Sequence, residues 1–208
     1  IRDSILVDNT LKALQKMAHY LRKHRKVKVV GITGSVGKTS TRDMVYSVVK
    51  QQYKTLKTEG NYNNNIGLPL TILRLKDEEV MILEMGMNHL NEMEELSRIA
   101  CPDISAITNV GTAHIGELGS RENILKAKLE IVAGMSDGST LVINGDNDML
   151  STVRFDNFKV VKVGVDCAAV FKAEKVILMD DHSEFTINYN GKVYQVVVPV
   201  PGNHFVLN

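Results

Sequence analysis

The run GITGSVGKTS at residues 31–40 sets Gly34, Gly37, Lys38 and Thr39 between a β-rich segment, Val27 to Ile32, and a segment with Met44, Val45, Val48 and Val49 on one helical face. A phosphate cradle requires strand, glycine loop and helix in that order. Glycines let the backbone curl so that successive N–H groups point inward. The helix N-terminus adds positive partial charge, and Lys38 can reach the terminal phosphates. Thr39 would then offer its hydroxyl to a magnesium ion. The strict pattern has glycine six residues before the lysine, where this chain has Ile32 between Gly31 and Gly34. A glycine-rich turn with an exposed lysine is the plainer reading, but the strand-loop-helix context favours the nucleotide one. The loop alone does not choose between kinase, GTPase and ligase. No Asn-Lys-x-Asp sequence follows it, which weighs against a GTPase.

Three further residues could do chemistry beside such a loop. Glu84 ends the predicted strand Val80 to Leu83, at the sheet edge where ligands collect, so it reads either as a magnesium-holding acid or as a solvent-facing glutamate. His114 leaves the predicted strand Ile104 to Val110 through Gly111-Thr112-Ala113 and projects from the same edge. A lone loop histidine is most often a surface residue, and magnesium prefers oxygen. On a helix from Glu122 to Met135, Lys128 falls in the middle of the stripe formed by Ile124, Ile131, Val132 and Met135. Two readings of it stand. Its stem snorkels to solvent, or burial and nearby cations disfavour its protonated form and leave an amine able to capture carbon dioxide as a carbamate, which is a magnesium ligand.

The elements that must position these residues alternate. Apolar positions Leu11, Leu14, Ala18 and Leu21 mark a leading helix closed by the basic run Arg22 to Lys28. Beyond the loop, short apolar runs at Val80 to Leu83, Ile104 to Val110 and Thr140 to Ile143 are separated by helical stretches such as Leu90 to Ala100. This pattern predicts an α/β fold, a mostly parallel sheet flanked by helices. After about Ser151 the strand-like runs crowd together: Lys159 to Val165, Val170 to Leu178, Glu184 to Tyr189 and Lys192 to Val200. Asn190-Gly191 suits a tight hairpin turn between the last two. They predict a small antiparallel β appendage in the C-terminal quarter, attached to the edge of the core.

Composition bounds the rest. With 208 residues and 44% apolar content, the chain can build one core with a satellite sheet. Its 25 basic and 24 acidic residues give no electrostatic drive toward nucleic acid or anionic lipid. Cys101 and Cys167 share no metal-binding spacing and read as reduced thiols of a cytoplasmic protein. No apolar run is long enough to span a membrane, and no signal peptide precedes the first helix. Beginning at Ile1 and ending just after a Pro-Gly turn, the sequence reads as a fragment.

Taken together, GITGSVGKTST, TEGNYNNNIGLPLTILRL, EMGMNHLNEMEEL, ITNVGTAHIGELGS and KAKLEI resemble the central domain of the Mur ligases, and within them the MurF type, over most of the chain. In that family the glycine pattern before the lysine is the one seen here. The resemblance implies a leading linker and helix at 1–25, a central ATP-binding domain at 26–202 with the antiparallel appendage at about 158–200, and the start of a further domain at 203–208. It implies that Gly34, Ser35, Val36, Gly37, Lys38, Thr39 and Ser40 hold the phosphates of ATP. Thr39 and Glu84 would bind one magnesium ion, and His114 and carbamylated Lys128 a second.

The same resemblance sets Asn144, His204 and Asn208 on the adenine side and Asn61, Asn63 and Asn64 on the substrate side, although asparagine clusters also simply form turns. Phe205 departs from the family, which often has asparagine there. The implied substrates are UDP-N-acetylmuramoyl-tripeptide and D-alanyl-D-alanine, joined through an acyl phosphate in peptidoglycan precursor synthesis. N- and C-terminal domains of the same protein would help to hold them, so the fragment alone is expected to be inactive. The rivals are another Mur-type ligase, of the MurE or folylpolyglutamate synthetase kind, and a nucleotide-binding module without catalysis.

Overall fold

The computed structural model describes residues 4–207. Helix α1 (Thr10–His24) is capped by the Asn9 side chain, which accepts a hydrogen bond from the Lys12 N–H at 2.9 Å. Strand β1 (Lys28–Thr33), the glycine loop and helix α2 (Lys38–Val49) follow. The chain continues through β2 (Thr55–Lys57), α3 (Gly67–Ile72), β3 (Val80–Glu84), α4 (Glu92–Ala100), β4 (Ile104–Ile107), α5 (Ile115–Leu118) and α6 (Arg121–Leu129). Strands β5 (Thr140–Asn144), β6 (Lys159–Gly164), β7 (Phe171–Leu178), β8 (Ser183–Tyr189) and β9 (Lys192–Val198) precede the short helix α7 (Asn203–Leu207). Among the described residues no helix is long and apolar enough to cross a membrane.

These strands form a nine-stranded sheet in the order β2-β3-β1-β4-β5-β6-β7-β8-β9. It is parallel from β2 to β7 and antiparallel across β7, β8 and β9. The mixed α/β architecture expected from the alternating sequence is therefore present, with one shift of boundary. Strand β6, which its crowded neighbourhood groups with the antiparallel strands, pairs parallel with β5. A parallel return needs a crossover of about a dozen residues, and the segment from Gly145 to Phe158, with its 3-10 turn at Leu150–Thr152, supplies one. Antiparallel pairing starts only where β8 turns back on β7. The β8–β9 turn is made by Asn190 and Gly191, whose φ values of 53° and 76° suit a tight hairpin.

Strand β1 lies between β3 and β4: the chain runs from β1 to β2 and β3 on one side and then crosses over β1 to β4 on the other. In open α/β sheets the crevice at such a reversal, beyond the carboxyl ends of the strands, is where ligands bind. The register sets Ile32 beside Glu84 and Thr33 beside Ile107, which aligns the ends of β3, β1 and β4 along one edge. Val29, Ile32, Met81, Ile82 and Leu83 are fully buried and anchor that edge.

Two helices depart from what the sequence suggests. The apolar stripe of α2 is only partly covered, with Val48 71% exposed and Met44, Val45 and Val49 part-buried, whereas the polar Thr41 and Arg42 are the buried residues. The single long helix expected from Glu122 to Met135 is α6 followed by a 3-10 turn at Glu130–Gly134. Ser97 of α4 ties that turn down, because its hydroxyl donates to the Ile131 carbonyl and accepts from the Gly134 N–H at 2.9 Å. A β-carbon at Gly134 would stand 2.0 Å from the Ser97 carbonyl oxygen. Gly134→Ala is therefore expected to destabilise the fold by about 1–3 kcal/mol, read as a lower midpoint in urea denaturation.

Candidate active site at the carboxyl edge of the sheet

The loop between β1 and α2 is shaped from both sides. Gly37 takes φ 83° at the N-cap of α2, a conformation that favours glycine. A β-carbon at Gly34 would lie 1.9 Å from the Thr108 hydroxyl, so only glycine lets the strip after β4 come so close. That strip clasps the loop. Asn109 Oδ1 accepts from the Ser35 and Val36 N–H groups at 3.0 Å each, Thr108 Oγ1 donates to the Val36 carbonyl at 2.5 Å, and the Gly111 N–H donates to Ser35 Oγ at 3.0 Å. Lys38 Nζ folds back onto the Gly34 carbonyl at 2.9 Å. Burial lowers the pKa of Lys38, and the Glu84 charge offsets part of that.

Glu84 is not the solvent-facing glutamate of the plainer reading: it is only 3% exposed. Thr39 Oγ1 donates to its Oε2 at 3.0 Å, Arg42 Nη1 reaches the same oxygen at 3.2 Å, and Asn63 Nδ2 donates to Oε1 at 2.8 Å. Thr58 Oγ1 accepts from the Glu84 N–H at 3.0 Å and steadies the strand end. The first turn of α2, the end of β3 and the asparagine-rich loop before α3 thus converge on one carboxylate.

Beside it opens a cleft of about 330 Å³, lined among others by Lys38, Asn63, Asn64 and His114. His114 stands in a left-handed conformation, φ 66°, at the N-cap of the short helix α5. Lys128 of α6 is 2% exposed, so its stem does not snorkel. Burial first, and then the like charge of Lys38, push its pKa down to about 7. Neither Glu84 nor Lys128 is among the residues that line the cleft, and Asn61, Asn144 and His204 lie outside the lining as well. Asn61 is exposed and accepts from the Asn63 N–H through its carbonyl at 2.7 Å. Asn144, at the end of β5, accepts from the Asp146 N–H at 3.0 Å. His204 is exposed and packs its ring on Phe205, with centroids 4.2 Å apart, in α7 against β8. Asn208 lies outside the described residues. Sequence reasoning missed Arg42 and Asn109. Arg42 stands four residues after Lys38, on the same helical face, which is the one signal that could have found it; Asn109 carried only its place in the ITNVGTAHIGELGS block.

The donor set fits a hard cation at one place. Thr39 and Glu84 offer a hydroxyl and a carboxylate at the foot of a phosphate loop, the few protein oxygens that magnesium takes when phosphates and water complete its shell. Among the described residues no three His, Cys, Asp or Glu side chains gather to form a metal cage of their own. His114 and Lys128 are nitrogen groups, so they suit magnesium only if Lys128 acquires oxygen donors.

Residues 32–208 match the family described as Mur ligase middle domain. The chain belongs to the Mur ligase family. Among Mur ligases, the UDP-N-acetylmuramoyl-tripeptide–D-alanyl-D-alanine ligase of Bacillus subtilis (strain 168) is 40% identical over 205 residues, which is 98% of this chain and 44% of that protein. MurF from Acinetobacter baumannii superposes with a TM-score of 0.92 at 30% identity, covering 100% of this chain and 47% of that one. MurF ligase from Thermotoga maritima in complex with ADP gives a TM-score of 0.90 at 27% identity, covering 100% and 49%. The chain spans about half the length of the curated Mur ligases it matches.

Burying Lys128 has a pH signature. The ordinary lysine pKa is 10.5 and the folded value is about 7, so between them the unfolded chain binds the extra proton and stability rises with pH. Below about pH 7 the full cost of the buried charge is present. Lys128→Met is expected to stabilise the fold by on the order of 4 kcal/mol at pH 6 in carbon-dioxide-free buffer. That gain should shrink steadily toward pH 10.5, as followed by denaturant midpoints across the range.

Proposed function

We propose that this chain is the ATP-binding middle of an ATP-dependent amide ligase, and that the complete protein adds D-alanyl-D-alanine to UDP-N-acetylmuramoyl-tripeptide. The observation that carries the reading is a phosphate loop whose half-buried Lys38 lies near enough to buried Lys128 for its charge to depress that amine. A nucleotide module without catalysis has no use for a buried amine set near the loop lysine. On this reading residues 26–202 form the middle domain, 1–25 lead into it from a domain that binds the nucleotide sugar, and 203–208 begin one that helps hold the dipeptide. The reading also implies a cytoplasmic protein.

A carboxylate does not acylate an amine unaided. In the first step an oxygen of the tripeptide carboxylate bonds to the γ-phosphorus of ATP, the bond to the bridging oxygen breaks, and ADP leaves. In the second the dipeptide amine attacks the acyl carbon, loses its proton, and phosphate departs as the amide forms. Two anions must meet in the first step, so charge neutralisation comes before positioning. The N–H groups of residues 34–40 and the Lys38 ammonium take the phosphate oxygens. Thr39 and Glu84 would hold one magnesium ion and His114 with Lys128 a second; when bound, such ions neutralise the phosphates and screen the incoming carboxylate.

Lys128 would serve that second ion as a carbamate. The lone pair of its neutral amine bonds the carbon of carbon dioxide and a proton leaves to water, which exchanges a buried cation for a carboxylate-like anion. Asn61, Asn63 and Asn64 would face the transferred phosphate, and Asn144, His204 and Asn208 the adenine.

In the complete protein, phosphate release from ATP should require both the UDP-linked tripeptide and D-alanyl-D-alanine. Release with a different amino-acid acceptor would instead support the MurE or folylpolyglutamate synthetase kind, and no release with any acceptor the non-catalytic module. Lys38→Ala should slow turnover at least about a hundredfold. Lys128→Ala should remove most activity, with acetate or propionate restoring part of it; full activity without them would sink the carbamate.

A further inference from the structure

Arg42 is a buried guanidinium with a divided set of partners. It is 5% exposed. Along one edge Nε and Nη2 donate to the Asp43 carboxylate oxygens at 3.0 Å each. From the other, Nη1 donates to Glu84 Oε2 at 3.2 Å and to the Gly60 carbonyl at 3.1 Å. Asp43 is half-exposed and also takes Lys57 Nζ at 2.6 Å. Partial burial raises the pKa of Asp43, but the hydrogen bonds from Arg42 and Lys57 more than reverse this and hold the carboxyl below its usual range.

A cation this close to the carboxylate that would hold magnesium works against the metal by simple electrostatics. Burying it there is costly unless it is paired and hydrogen-bonded, as it is here. Its geometry suggests what offsets the repulsion. Thr39 and Arg42 hold Oε2 while Asn63 holds Oε1, so the carboxylate plane is fixed from both sides. The same Arg42 nitrogen ties down Gly60, at the start of the loop that carries Asn63 and Asn64. One side chain therefore links the nucleotide side of the cleft to its substrate side.

We propose that Arg42 is a positioning residue: oriented by Asp43, it sets the Glu84 carboxylate for a divalent cation and couples that setting to the Gly60–Asn65 loop. This rests on the reading of Glu84 as a metal ligand. Outer partners of metal ligands commonly govern affinity about 10- to 100-fold, and here the electrostatic and positioning effects have opposite signs. Removing the charge alone should tighten metal binding, whereas losing the orientation should weaken it.

The test is titration of Mn2+ into the ADP-loaded complete protein, with free Mn2+ followed by electron paramagnetic resonance. Arg42→Met should raise the Mn2+ dissociation constant at least about tenfold, and Arg42→Lys should recover part of that loss because it keeps a cation at Glu84 without the paired grip on Asp43. Asp43→Asn, which leaves a carbonyl acceptor for Arg42 at a half-exposed position, should weaken binding about threefold by loosening Arg42. Unchanged or tighter Mn2+ binding in Arg42→Met overturns the proposal, as does a lowered melting temperature with unaltered Mn2+ affinity. If Arg42→Met does not fold, unchanged affinity in Asp43→Asn overturns it. Failure of the unmodified protein to bind Mn2+ with ADP would defeat the reading of Glu84 and this proposal together, whereas intact binding with indifferent variants defeats the proposal alone.

Discussion

The cleft depends on the parallel pairing of β1 with β3 on one side and β4 on the other. That pairing brings the phosphate loop, Glu84 and the Thr108–His114 strip to one edge, although they lie up to 80 positions apart in the chain. Because the strands carry buried residues at and near these ends, β3 cannot slide past its neighbours without exposing Met81, Ile82 or Leu83. The loop is then less a free glycine turn than a piece of backbone held against its neighbour, with Asn109 binding two of its N–H groups and Thr108 filling the space that a side chain at residue 34 would need.

Charge is the second organising feature. Lys38 and Arg42 lie near a single buried carboxylate, Glu84, and buried Lys128 lies near enough to Lys38 to feel its charge. Asp43 answers Arg42 from the flank, so the cationic surplus comes from Lys38, which lines the cleft, and from buried Lys128 near it. Both have lowered pKa values from burial, which is the mark of a site that stores unfavourable cationic charge until an anion arrives. A polyphosphate and a carboxylate are ligands that such a site relieves. On the proposed reading that relief offsets the cost of keeping Lys128 out of water, while the Ser97 contacts fix the turn that follows α6.

Sequence by itself determined a good deal. The strand-loop-helix order around Lys38, the alternation that gives a parallel sheet and the Asn190-Gly191 hairpin were legible, because each follows from local periodicity or from backbone conformations that few residues tolerate, whereas periodicity left Lys128 between snorkelling and burial. The motif blocks added a family resemblance that the match to the Mur ligase middle domain bears out.

Tertiary structure decided the rest, and for a physical reason: burial and pairing are properties of neighbours distant in the chain. Nothing near Glu84 in sequence says that Thr39, Arg42 and Asn63 will share its two oxygens. In α2 the apolar Val48 is exposed while Arg42 is buried, because the carboxylate that Arg42 serves comes from β3. Strand β6 looked antiparallel by its company and is parallel by its crossover. Asn109 is an ordinary loop asparagine until β4 is set beside β1, and only that pairing makes it the clasp of the phosphate loop with which the sequence reading began.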